Sequence, residues 1–87
     1  MKVIYKYELS EHRMTFSIPA HAEVLCVQVQ RGMPCLWMLV DTYYGDVGAK
    51  DRTFVIEGTG NEFEGHNIKY IGTVQQGVYV WHVFEEL

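Results

Sequence analysis

The chain has 87 residues, 48% of them apolar and 21% charged, with a net charge of −4. That length makes one domain with a single modest core, and that balance excludes a disordered chain. Seven Lys and Arg stand against eleven Asp and Glu with no basic run, which excludes the clustered cations that a groove tracking a nucleic-acid backbone needs.

No apolar run approaches membrane-spanning length, and Met1-Lys2-Val3-Ile4 leads straight into a strand pattern rather than a secretory leader. The chain is therefore expected to work inside a cell, away from membranes, with Cys26 and Cys35 as reduced, buried thiols; a disulfide across the central hairpin is the alternative. Domains this small commonly gain buried area by self-association, so a homo-oligomer is expected.

Lys2–Glu8 alternates, with Val3, Tyr5 and Tyr7 on one face, and reads as a half-buried strand. Leu9–His12 is a polar turn. Arg13–Ile18 alternates again, Met14, Phe16 and Ile18 against Thr15 and Ser17, until Pro19 stops it. These two strands are expected to form a first hairpin.

A central hairpin follows. Glu23–Gln30 and Cys35–Val40 are joined through Gly32 and Pro34 by about three or four residues. Leu25, Val27 and Val29 share one face of the first strand; Val24, Cys26, Gln28 and Gln30 share the other. The second strand is apolar on both faces, which predicts cover on both sides and a core position for Trp37.

Asp41–Lys50 is a loop by composition. Asp51–Glu57 returns to strand, and Gly58-Thr59-Gly60-Asn61 interrupts it. Asn61–Asn67 is a second loop, too broken for a long helix. Ile68–Gln75 and Val78–Glu85 make a last hairpin turning at Gln75-Gln76-Gly77. His82 shares a face with Val80 and Phe84, and Trp81 shares the other with Tyr79 and Val83. Seven short strands with Gly-marked turns predict an all-β fold, a compact antiparallel sandwich or small barrel over residues 1–87.

The stretches I-Y-K-Y-E-L at Ile4–Leu9, V-Q-V-Q-R-G-M-P-C-L-W-M-L-V-D at Val27–Asp41, G-T-G-N at Gly58–Asn61, Y-I-G-T-V-Q at Tyr70–Gln75 and V-W-H-V-F-E at Val80–Glu85 resemble a family of small proteins carried by bacteriophages and prophages, a domain of unknown function. The resemblance spans nearly the whole chain; the Tyr43–Lys50 loop is the part without a match. It implies a phage protein acting in the host bacterial cytoplasm and brings no catalytic or binding residues with it. Phage accessory proteins of this size often counter host defence, either by blocking a defence protein or by sequestering a small nucleotide-derived signal.

Among the residues themselves, Gly58-Thr59-Gly60-Asn61 is the leading binding candidate. Glycines allow close backbone approach, successive N–H groups form anion nests, and Thr59 and Asn61 add a hydroxyl and an amide. A strand end or bulge explains the same glycines without a ligand. Trp81 offers a stacking face for a base. His82, on an apolar face, is either a satisfied polar group or a ligand contact.

Arg52 reads as a surface ion pair with Asp51 or Asp46, or as a phosphate fork. Gln28 and Gln30 could read an amide or a base edge. Glu85-Glu86 reads as a solvated chain end.

No His, Cys or carboxylate has metal-site spacing, no cofactor is implied, and no Ser sits in a nucleophile elbow, so the chain is expected not to be an enzyme. Three readings follow. The first is a nucleotide-signal sponge built from Gly58–Asn61, Arg52, Trp81, His82 and Gln28. The second is a protein-binding inhibitor of a host defence complex acting through a sheet edge or Tyr43-Tyr44. The third is a self-associating structural phage protein.

Overall fold

The computed structural model describes residues 1–87. Seven strands, β1 (Lys2–Glu8), β2 (Arg13–Ile18), β3 (Glu23–Gln30), β4 (Met33–Asp41), β5 (Lys50–Gly58), β6 (Ile68–Gln76) and β7 (Tyr79–Glu86), are accompanied only by a 3-10 turn at Thr42–Tyr44. All pairings are antiparallel. The strands form two sheets, β1-β4-β3 and β2-β5-β7-β6, so the fold is an open sandwich rather than a closed barrel.

The expected hairpin of β1 and β2 does not form. β1 pairs with β4, and β2 crosses to the other sheet to pair with β5. With β1 and β2 in opposite sheets, their inward side chains face each other across the sandwich. Tyr7 and Phe16 still meet across the sandwich, ring centroids 5.0 Å apart. The central hairpin forms, but its loop is only Arg31-Gly32, both at positive φ (52° and 77°). This two-residue turn matches strand twist. Met33 and Pro34 belong to β4. Pro34 sits where β1 ends: its carbonyl takes the Leu9 N–H at 2.9 Å, and its missing N–H closes the ladder there.

A bulge between Val24 and Cys26 corrects the face assignment of β3. It turns Leu25 outward and brings Val24 into the core beside Val27 and Val29.

The core is built from Ile18, Val27, Leu36, Met38, Val40, Phe54, Ile56, Val74 and Val83, with Leu9 and Ala22. β4 and β5 lie inside their sheets and supply much of it. The sheets come together along β3 and β6, where a Cβ on Gly72 would lie 2.9 Å from Val27 Cγ1. A bare α-carbon is what permits that approach. The opposite side, along β1 and β2, is looser, and inward-facing Tyr5 stays 42% exposed there.

Trp37 is not in the core. It lies on the outer face of the three-stranded sheet, half-buried, with Lys6 Nζ 5.9 Å above its ring. The neighbouring β4 residues Leu36 and Met38 take the inward positions. No element covers this outer face, so the prediction of cover on both sides of β4 fails. Cys26 is half-buried and Cys35 buried, both as free thiols.

Candidate functional site

The Gly58–Asn61 turn closes β5 against the start of β7. A Cβ on Gly58 would stand 2.8 Å from Asn61 Nδ2 and 3.3 Å from Trp81 Cζ3, so a larger residue would have to displace the Asn61 side chain and press on the indole. Thr59 N–H donates to the Val80 carbonyl at 3.3 Å and Asn61 N–H to Gly58 at 3.2 Å. Two of the donors counted toward an anion nest are thus spent inside the turn.

The side chains build something else. Glu57, His82 and Thr73 form one row across the outer face of the four-stranded sheet. His82 Nε2 lies 2.7 Å from Thr59 Oγ1, and His82 Nδ1 lies 2.9 Å from Thr73 Oγ1. Tyr70 Oη lies 2.6 Å from Thr73 Oγ1. A hydroxyl–imidazole–hydroxyl–phenol chain results, and it fixes the ring of His82 in place. A threonine beside a histidine resembles a nucleophile and its base, but the group behind the imidazole is a neutral hydroxyl. Thr59 and Thr73 were not paired with His82 from the sequence, because the pairing depends on which strands are neighbours.

Beside this chain, Phe63 from the Asn61–Asn67 loop packs on Phe84 at 4.8 Å, and Tyr70 meets Phe84 at 5.5 Å from the other side. Loop and sheet flank an open groove of about 620 Å³ whose polar lining is His12, Arg13, Glu57, Glu62, Glu64, His66 and Glu86. His12 Nε2 lies 3.0 Å from Glu57.

Arg13 holds Glu86 through Nε at 3.0 Å and Nη2 at 2.8 Å. This guanidinium holds the Glu86 carboxyl below the ordinary carboxylate range, and the carboxylate in turn raises Arg13. At the other end of the molecule the Tyr43 N–H does the same for Asp41. A carboxylate lowered in the folded state contributes stability above its unfolded pKa and loses it as pH falls through the folded value. Urea unfolding midpoints are therefore expected to hold steady from neutrality to about pH 5 and to drop below about pH 4. Glu86→Gln should flatten part of that drop.

Trp81 faces inward rather than toward this groove. It packs against the core, and its indole N–H donates to Gln76 Oε1 at 2.8 Å. Tyr79 stacks on it at 5.6 Å. Gln28 is exposed on the outer face of the three-stranded sheet, far from the turn in the fold.

Arg52 is also elsewhere, and its pairing corrects the sequence reading. It faces the interior and grips Glu85 with Nε–Oε2 at 2.6 Å and Nη2–Oε1 at 2.7 Å, while Nη1 donates to the Ala22 carbonyl at 2.8 Å. The Nε–Nη2 fork and one Nη1 N–H are taken, so Arg52 is tied into an ion pair rather than left open as a phosphate fork. Glu85, read as a solvated chain end, is buried to 6% exposure. Of the eight residues singled out, the structure brings together Gly58, Thr59, Gly60, Asn61 and His82. Trp81 lies behind them, while Arg52 and Gln28 are apart.

Fold and site together define a small antiparallel β-sandwich with one polar, aromatic-flanked outer sheet face. The chain belongs to the DUF7352 family, a domain of unknown function whose model matches residues 1–87. No curated protein and no solved structure matches it.

Proposed function

We propose that this chain is a non-enzymatic binding protein of phage origin. In this reading it acts in the host bacterial cytoplasm against a defence system by sequestering a small nucleotide-derived signal on the outer face of the four-stranded sheet. The observation that carries the reading is the meeting of the Thr59–His82–Thr73–Tyr70 chain with Phe63, Phe84 and the adjoining groove.

Aromatic faces take a base by stacking. Carboxylates such as Glu57 and Glu62 accept from exocyclic amino and ring N–H groups of a base. The carboxylates of the groove disfavour a polyphosphate, so the base and sugar carry most of the recognition; His12 is paired with Glu57 and the Arg13 fork with Glu86, which leaves His66 to meet a phosphate. The group bonded to His82 Nδ1 is the neutral Thr73 hydroxyl, and Glu57, next to His82 in the row, is taken up by His12, which argues against a nucleophilic role for Thr59.

Isothermal titration against a panel of cyclic and linear nucleotides tests the reading. Saturable heat with at least one is expected, and Tyr70→Ala or Phe63→Ala should weaken it by about tenfold or more, the loss of one stacked ring. No heat with any member would end it.

A second reading rests on the bare outer face of the three-stranded sheet, where Trp37 and Leu39 lie between Ile4 (60% exposed) and Leu25 (47%). An uncovered apolar face of this kind suits a protein partner. A host protein recovered in stoichiometric amount by this chain, and lost with Trp37→Ser, would favour it.

A further inference from the structure

Four strand edges are open in this sandwich: β1 and β3 in one sheet, β2 and β6 in the other. Proteins guard such edges against pairing with bulges, proline and charged side chains, lysine above all, and the lysines of β1 permit pairing only in a register that keeps them apart and sets Lys2 against an acid. β3 carries a bulge at Leu25 and β6 one at Ile71. β1 and β2 have neither bulge nor proline within the strand, but β2 is shorter, six residues with Arg13 tied back to Glu86 and Pro19 directly after its end, while β1 runs seven residues without interruption from Lys2 to Glu8.

The direction of its free groups follows from the ladder. Leu9 N–H donates to Pro34 and Thr42 N–H to Met1. In this register the odd residues of β1 therefore bond to β4. Lys2, Ile4, Lys6 and Glu8 point their N–H and C=O groups outward, at an unoccupied edge.

We propose that this edge is the self-association surface of the protein: a second copy adds its own β1 antiparallel, with the two-fold axis at Tyr5. The proposal rests on the expected self-association and is independent of what the Thr59–His82 face binds. Centring on Tyr5 sets Lys2 opposite Glu8 of the second copy, twice by symmetry. Ile4 falls opposite Lys6, and Val3 opposite Tyr7 on the inward face. The outward-pointing residues then form the hydrogen-bonded pairs, about eight bonds in all.

Tyr5 meets its own copy in the closer, non-hydrogen-bonded kind of pair, which covers a ring left 42% exposed at the loose side of the sandwich. Shifting the centre to Ile4 would set Lys2 against Lys6. Shifting it to Lys6 would set Lys6 against itself. Like charges directly opposite are destabilising, so charge selects the Tyr5 register.

Sedimentation equilibrium of the full chain tests this. The wild type is expected to be a dimer. Glu8→Lys places lysine against Lys2 at both ends and should weaken the dimer on the order of 10- to 100-fold. Lys2→Glu combined with Glu8→Lys should restore it. Ile4→Pro removes an outward N–H without touching the ladder to β4 and should also give monomer, with circular dichroism confirming the retained fold. A monomeric wild type would overturn self-association altogether. A dimer indifferent to Glu8→Lys and Ile4→Pro would overturn this interface and leave self-association standing on another surface.

Discussion

Replacing Glu85 by alanine is expected to destabilise the protein by about 3–5 kcal/mol, the usual cost of stranding one partner of a buried ion pair. The reason is local and complete. Arg52 presents two N–H groups to the two oxygens of Glu85 at 2.6 and 2.7 Å and a third to Ala22 O at 2.8 Å. The side chains retain 24% and 8% of their exposure. The pair raises Arg52, chiefly through the Glu85 hydrogen bonds.

With Glu85 gone, the part-buried guanidinium stays charged beside Phe54 and loses both hydrogen bonds of its fork. A chain of this length has roughly 4–13 kcal/mol of total stability at typical values per residue, so the loss removes a large part of it. Urea unfolding of Glu85→Ala measures the effect. The double variant Arg52→Met/Glu85→Leu should recover most of the loss, because well-packed apolar replacements avoid desolvating two charges. A Glu85→Ala protein within 1 kcal/mol of wild type would mean that solvent reaches the pair freely.

Phe54→Ala is the second large effect, expected at about 3–5 kcal/mol by the same measurement. Phe54 is 1% exposed at the centre of β5. Its ring lies 6.3 Å from Phe16, which itself meets Tyr7, and Arg52 Cζ stands 5.9 Å over it. Along the loose side of the sandwich, these rings join the two sheets. Removing the central one opens a cavity and withdraws a cation–π contact from Arg52 together. The two predictions are therefore coupled: Phe54→Ala with Glu85→Ala should cost less than the sum of the singles.

Much of the fold was legible in the residues. The period-2 runs gave seven strands, with ends within a residue or two of those observed, because each strand has one buried face. The β3–β4 and β6–β7 hairpins were readable because their loops carry glycine between apolar runs. The β1–β2 hairpin was misread because a polar turn between alternating segments looks the same whether the chain folds back within a sheet or crosses to the other. Trp37 was misplaced for a related reason. A strand apolar on both faces does not say which face is covered, and here Leu36 and Met38 went in while Trp37 faces out beside Lys6.

The candidate site divides in the same way. Gly58–Asn61 could be singled out from glycine spacing, and His82 from its isolation on an apolar face. Their partners could not be. Thr73 reaches His82 only because β6 lies beside β7, and Thr59 only because β5 lies on its other side. Arg52 and Glu85 are 33 residues apart in the chain, and each looked like a surface charge until the sheet order set them on adjoining strands.

Strand number, most strand faces and the absence of long helices rest on local patterning, which backbone geometry alone converts into structure. Sheet membership, the open side of the sandwich, the buried ion pair and the hydroxyl–imidazole chain were decided by the tertiary structure. They depend on contacts between residues distant in sequence, and only chain topology, driven by burial of both sheets' inner faces, brings those together.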